Sequence, residues 1–182
     1  MNLEEMERRL KALEGLENRL KIMEDIEEIK QMHIKYILAL NHQNFEEMIE
    51  YFTEDAKFEY VQHGAKLEGK EEIAKFFRAM ADNQRKRKAW KGGQILIHPI
   101  ISVDGDTANG TWTWYRLMGG GGQVQIFTSP QGLEIPLSVP APGFYTMEYR
   151  RVNGKWKMSK FHLTHDWPGN QWPKVITIGS NI

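Results

Sequence analysis

The apolar residues of this 182-residue chain change their period partway along, and no other feature of the sequence restricts the architecture as much. Between Leu3 and Leu40 they recur at steps of three or four, the spacing of one helix face. From Gln94 onward apolar and polar residues alternate, which is the spacing of strands. Helix faces and sheet faces both need burial against a partner, so a helical front and a strand-rich back predict one α+β domain.

In the front half, Leu3, Met6, Leu10, Leu13, Leu16, Leu20, Met23 and Ile26 stand among Glu, Lys and Arg. The pattern continues through Ile29, His33, Tyr36 or Ile37 and Leu40, then stops at the polar string Asn41 to Asn44. One long amphipathic helix is predicted, with Gly15 as a candidate interruption. Leu3 to Leu13 keep the a/d step of a coiled coil, which suits either a seam between subunits or a helix packed on its own domain. Asn44 and Glu47 have capping-box spacing and predict a short helix from Phe45 to Phe52. Alternation at Ala56, Phe58 and Tyr60 predicts a strand with an aromatic inner face, and a third helix is expected from Lys70 to about Met80. The cluster Arg85 to Lys88 reads as a solvated helix end.

In the back half, Gln94 to Val103 and Thr107 to Met118 flank Asp104-Gly105-Asp106, while Phe144 to Val152 and Lys155 to His165 flank Asn153-Gly154. Both are hairpin signals. Gly119 to Gly143 between them forms an insertion too long and too apolar for a simple turn, with strand-like runs at Gln123 to Thr128 and Leu133 to Val139.

Parity then assigns faces. Trp112, Trp114, Arg116 and Met118 share one side of their strand, and Gln94, Leu96 and His98 share one side of theirs. On the last strand Trp156 and Met158 keep one parity, whereas Phe161, Leu163 and His165 keep the other. One extra residue near Ser159 or Lys160, a β-bulge, would turn all five inward and leave His162 outside. The expected pocket is lined by Tyr36, Phe58, Tyr60, Gln94, Trp112, Trp114, Met118 and Phe144, with Asn41, His98, Arg116 and His165 as its polar groups. Arg116 among tryptophans suits either a cation-π cap or a substrate-facing role.

Composition closes off other classes. Lys and Arg total 24, as do Asp and Glu, so no net field recruits nucleic acid or an anionic membrane. With zero cysteine there is no disulfide, thiolate nucleophile or thiolate-bound zinc. No apolar run approaches the roughly 20 residues that span a bilayer, and the acidic start lacks the pattern of a signal peptide, so a cytoplasmic location is expected. His162 and His165 diverge on a strand, and no metal site is expected.

The order of these segments, carried by MEDIEEIKQMHIKYILAL, YFTEDAKFEY, LEGKEEIAKFF, HPIISVDGDTANGTWTW and GFYTMEYRRVNGKWKMSKF, resembles the SnoaL-like branch of the nuclear-transport-factor-2-like superfamily. The resemblance covers about residues 22–168. It implies a cone-shaped, curved mixed sheet wrapped around the long N-terminal helix with a deep pocket, residues 1–21 being an extension, 119–143 an insertion and 169–182 a tail. It also implies a cofactor-free lyase, often trimeric, like bile-acid 7α-dehydratase, scytalone dehydratase and hexachlorocyclohexane dehydrochlorinase. By position, the dehydratase tyrosine falls on Tyr36, the acid five residues later on Asn41, the catalytic histidine on Gln94 with His98 four residues on, a further aspartate on Arg116, and an arginine on His165. The His-Asp dyad is thus replaced. The expected activity is acid/base elimination on a hydrophobic aromatic or polycyclic hydroxylated substrate. The alternatives are carbon-carbon cleavage of phenylpropanoid-type diols, or ligand binding without catalysis. A homo-oligomer, preferably a trimer, is expected.

Overall fold

A computed structural model describes residues 2–61, 64–87, 93–116, 126–130, 132, 134–136 and 141–164, with the backbone alone at 83–87, 126–127, 135–136 and 141–142. His165, Met118 and the predicted tail lie outside the described residues, as do the ends of both strand-like runs of the insertion.

The front half is a single helix, α1 (Leu3–Asn41), that Gly15 does not interrupt. Asn2 caps it by accepting from the Glu5 backbone N–H at 2.9 Å. The buried face of α1 is Asp25, Ile29, Met32, His33, Tyr36, Ile37, Ala39 and Leu40, all in its second half. The Asn44 side chain accepts from the Glu47 backbone N–H and donates through its amide to the Glu47 carboxylate, capping α2 (Phe45–Ile49), while the Asn44 backbone N–H goes to the Ala39 carbonyl at 2.8 Å. This helix is shorter than its sequence pattern suggests, because Phe52 already belongs to β1 (Phe52–Tyr60). β2 (Ala65–Glu68) follows, with Ala65 and Leu67 buried and Lys66 and Glu68 exposed. Next come α3 (Lys70–Arg87), β3 (Gln94–Asp104), β4 (Thr107–Arg116), β5 (Ile126–Thr128), β6 (Glu134–Pro136), β7 (Ala141–Val152) and β8 (Lys155–Thr164).

Six strands form a curved, unclosed sheet in the order β2-β1-β8-β7-β4-β3, and β5 pairs with β6 separately. All neighbours are antiparallel except β1 and β8, which makes the sheet mixed. Both hairpins form as expected, and Asn153 and Gly154 adopt φ of 51° and 74°, the left-handed pair of a type I′ turn. The inner face of the sheet packs on α1 and α3 through one core that includes Phe52, Phe58, Phe161, Trp114, Tyr145 and Met147.

Bulges in β8 and β3 set which of their side chains face that core. Glu148 pairs with Lys160 but Tyr149 pairs with Met158, so Ser159 is the extra residue. It brings Trp156, Met158, Phe161 and Leu163 to one buried face, as the parity argument requires. In β3, Ile97 pairs with Thr113 and Ile100 with Thr111, leaving His98 and Pro99 opposite Trp112. His98 sits there at φ 52° with its side chain in solvent.

Charge ties the helix to the hairpin ends. The buried Asp25 carboxylate accepts from Arg151 and from the Trp156 indole N–H at 3.3 Å, and Arg151 also donates to Asp106 at 3.1 Å. Its guanidinium lies 4.4 Å from the centre of the Trp156 ring.

Candidate functional site

A cavity of about 60 Å³ opens between α1, α3 and the inner face of the sheet. Its walls are Leu40, Phe58, Phe76, Phe77, Met80, Phe161 and Leu163, and its polar groups are Tyr36, Tyr60, Gln94, Arg116, Tyr145 and the Trp114 indole. A larger groove of about 940 Å³ between α1 and the β7–β8 turn is open and lined mainly by Glu and Lys side chains, so it lacks the apolar enclosure of a small-molecule site.

Alternation along β4 turns Trp112, Trp114 and Arg116 inward together. Arg116 is 4% exposed, and its guanidinium carbon lies 5.7 Å from the Trp114 ring centre. Burial lowers its pKa, while the phenols of Tyr60 and Tyr145 oppose that shift, Tyr60 through a hydrogen bond as well. It stays a cation at any working pH. Burial pushes the Tyr60 hydroxyl up to about 12 against the pull of Arg116, and raises the phenols of Tyr36 and Tyr145 further. All three are therefore neutral donors at neutral pH.

Gln94 organises the rim. Its side-chain oxygen accepts from the Trp114 indole at 2.6 Å and from the Tyr145 hydroxyl at 2.8 Å. Its backbone is clasped by Asn41, whose amide accepts from Gln94 N–H at 2.8 Å and donates to Gln94 carbonyl at 2.9 Å. This clasp fixes the end of α1 to the start of β3.

The structure thus brings Tyr36, Phe58, Tyr60, Gln94, Trp114 and Arg116 of the expected set together at one cavity. Four members stand elsewhere. Both ends of the Asn41 amide are engaged by backbone, so it braces the site instead of facing a substrate. The β3 bulge rotates His98 into water, away from the face it would share with Gln94 in a regular strand. Pro99 beside it was the sequence signal, since proline inside a strand is confined to edges and bulges. Phe144 pairs with Thr113, and paired residues share a face, so it points away from the core and Tyr145, paired with Trp112, takes the inward place. Trp112 is buried but serves a deeper cluster.

That cluster contains a histidine the site expectations left out. His33, one turn before Tyr36 on α1, is fully buried, with its ring 5.5 Å from Tyr36 and 6.0 Å from Tyr145. Its Nδ1 lies 2.9 Å from the Tyr149 hydroxyl, which accepts from the Trp112 indole at 2.8 Å. The hydroxyl and the imidazole Nδ1 thus share one hydrogen bond inside the core, and burial keeps the ring neutral. Nε2 has no protein partner among the described residues. Burial drives the pKa of His33 down to about 3. Its place on the apolar stripe was the available signal.

Among the described residues no group of three or more His, Cys, Asp or Glu is placed to hold a metal ion, and no helix is long and apolar enough to cross a membrane.

The chain is similar to solved structures of this architecture. A candidate scytalone dehydratase from Novosphingobium aromaticivorans aligns over 78% of this chain and 83% of its own, with 16% identity and a TM-score of 0.58. An NTF2-like protein with a cystatin-like fold from the same organism aligns over 83% and 88%, with 23% identity and a TM-score of 0.59. The protein Aln2 from a Streptomyces species aligns over 77% and 89%, with 19% identity and a TM-score of 0.57. At these identities the likeness is one of fold. A comparison with curated proteins gives no match. Residues 21–162, from the second half of α1 almost to the end of β8, match the SnoaL-like domain model. With the mixed curved sheet and the helix-backed cavity already in place, that match over 142 of 182 residues makes the chain a member of the SnoaL-like domain family.

Proposed function

We propose that the protein is a lyase that needs no cofactor and eliminates water from a small hydroxylated aromatic substrate, acting as a homo-oligomer. The observation that carries this reading is Arg116, a buried cation hydrogen-bonded to Tyr60 at an aromatic-walled cavity shared with Tyr36 and Tyr145. Removing a proton beside a carbonyl builds negative charge on the carbonyl oxygen, and a preorganised cation with neutral phenolic donors stabilises that charge in a dry site. The C–H proton passes to a base, the carbon-carbon double bond forms as the C–O bond to the hydroxyl breaks, and the hydroxyl leaves as water on taking that proton from the protonated base. The sequence offers His98 and His165 as candidate bases; His98 faces water at the β3 bulge, and His165, which follows Thr164 of β8, lies outside the described residues.

A cavity of about 60 Å³ favours a single-ring substrate over a polycyclic one, since pockets for drug-sized ligands run to roughly 300–1,000 Å³. Turnover is tested with a panel of hydroxylated aromatic carbonyl compounds, phenylpropanoid diols and hydroxylated steroids. Arg116→Gln and Tyr36→Phe should each lower kcat by roughly a hundredfold or more, and His165→Ala by roughly a hundredfold to ten-thousandfold. Unchanged kcat in Arg116→Gln would reject the reading.

One observation favours a second reading, binding without catalysis: none of the described lining residues carries a group expected to titrate near neutrality. If the parent binds members of the panel and turns over none, this reading stands.

A further inference from the structure

Among the described residues, nothing in its own chain packs on the first half of α1. From Leu3 to Glu24 every side chain is exposed except Glu5, which is half-buried beside Arg9. Leu3, Met6, Leu10, Leu13, Leu16, Leu20 and Met23 are between 46% and 72% exposed. At about 100° per residue they form a stripe on the side of α1 away from Ile29, Tyr36 and Leu40. The stripe is therefore not an extension of the core face. A helical arm of about 30 Å without tertiary packing is marginal in water, because most helix stability in proteins comes from burying an apolar face.

We infer that this arm is a self-association element, pairing with the same segment of a second copy as a parallel, in-register two-stranded coil. The 3-4-3 steps Leu3, Met6, Leu10, Leu13 give alternating a and d positions over the first two heptads. With that assignment Arg9 is at g and Glu14 at the following e. In a parallel in-register pair each Arg9 faces Glu14 of the other copy, once on each side of the seam, and these are the positions that set partner and orientation in coiled coils. The stripe then shifts by three residues to Leu16, Leu20 and Met23, a stammer that tightens the supercoil before α1 enters the domain. Adding the exposed parts of the seven side chains gives roughly 700 Å² per chain, close to the roughly 800 Å² per partner of a standard interface. Gly15 falls at f, facing solvent, where a Cβ would meet nothing within 4 Å.

Light scattering on the full chain at tens of micromolar should give two chains, twice 21.2 kDa or 42.4 kDa. Leu10→Glu with Leu13→Glu should give one chain while keeping the parent near-ultraviolet circular dichroism, which the domain core supplies. Arg9→Glu or Glu14→Arg alone should raise the dissociation constant by roughly threefold to tenfold, and the two together should restore it. The chain has no cysteine, so Leu13→Cys reports orientation cleanly: oxidation should cross-link it into a dimer, as parallel register requires. A one-chain mass for the parent, with or without binding to anionic phospholipid vesicles, overturns the inference. So does a three-chain mass, or a dimer that survives Leu10→Glu with Leu13→Glu.

Discussion

Tyr149 shows how much one hydroxyl can hold. It accepts from Trp112 and shares a hydrogen bond with His33 Nδ1, and all three side chains are buried. Tyr149→Phe removes one oxygen but strands two buried polar groups, so a loss of about 2–5 kcal/mol in urea unfolding is expected, well above the roughly 1 kcal/mol of an ordinary hydrogen bond. His33 adds a pH dependence whose sign follows from its neutral burial. In the unfolded chain it takes a proton below about 6.5, while in the fold it resists one down to about 3. Stability from this residue is full above pH 6.5 and falls as the pH drops through the window to 3. Between pH 7 and 4.5 the parent should lose roughly 2–3 kcal/mol more than His33→Gln. Equal acid slopes for the two proteins would show that the imidazole is not held neutral.

At the scale of elements, local backbone chemistry shows where the chain departs from its simple periods. Gly15 lies mid-helix with open space where a Cβ would stand, so Gly15→Ala should stabilise α1 by about 0.5–1 kcal/mol, read as an upward shift in Tm. In β3 the left-handed backbone of His98 costs about 1–2 kcal/mol for a residue with a Cβ. His98→Gly is therefore expected to raise or hold the Tm. A marked fall would mean that the imidazole makes a contact in solution that outweighs its backbone strain. The helix periods, the helix cap at Asn44 and the two hairpin turns were legible because each rests on local geometry. The β8 bulge was legible too, since the aromatic residues on either side of Ser159 change parity. The β3 bulge was missed, because beyond it Ile100 and Ile101 occupy both faces and only Pro99 marked the break.

For the whole molecule, Arg151 joins parts far apart in sequence: α1 through Asp25, the β3–β4 turn through Asp106, and β8 through the Trp156 ring. Arg151→Met leaves the Asp25 carboxylate buried without its cation, which costs about 3–5 kcal/mol. In a domain of this size that should lower the Tm by roughly 6–20 °C. A drop of a degree or two would reduce the network to a surface ion pair.

By itself, the sequence determined the α+β class, the helix and strand order, and the inward side of β4, because helix and strand periods are properties of consecutive residues. Tyr36, Trp114 and Arg116 could be placed at the cavity on that basis. Only the tertiary structure decided the rest, since it depends on pairing between distant residues. Strand register chose Tyr145 over Phe144. The clasp between Asn41 and Gln94 turned an expected polar site group into a brace. The exposed arm of α1 was settled in the same way. Its a/d stripe fits a domain-facing helix and an outward-facing one equally well, and only the rotation of α1 that buries Ile29, Tyr36 and Leu40 leaves Leu3, Leu10 and Leu13 in water.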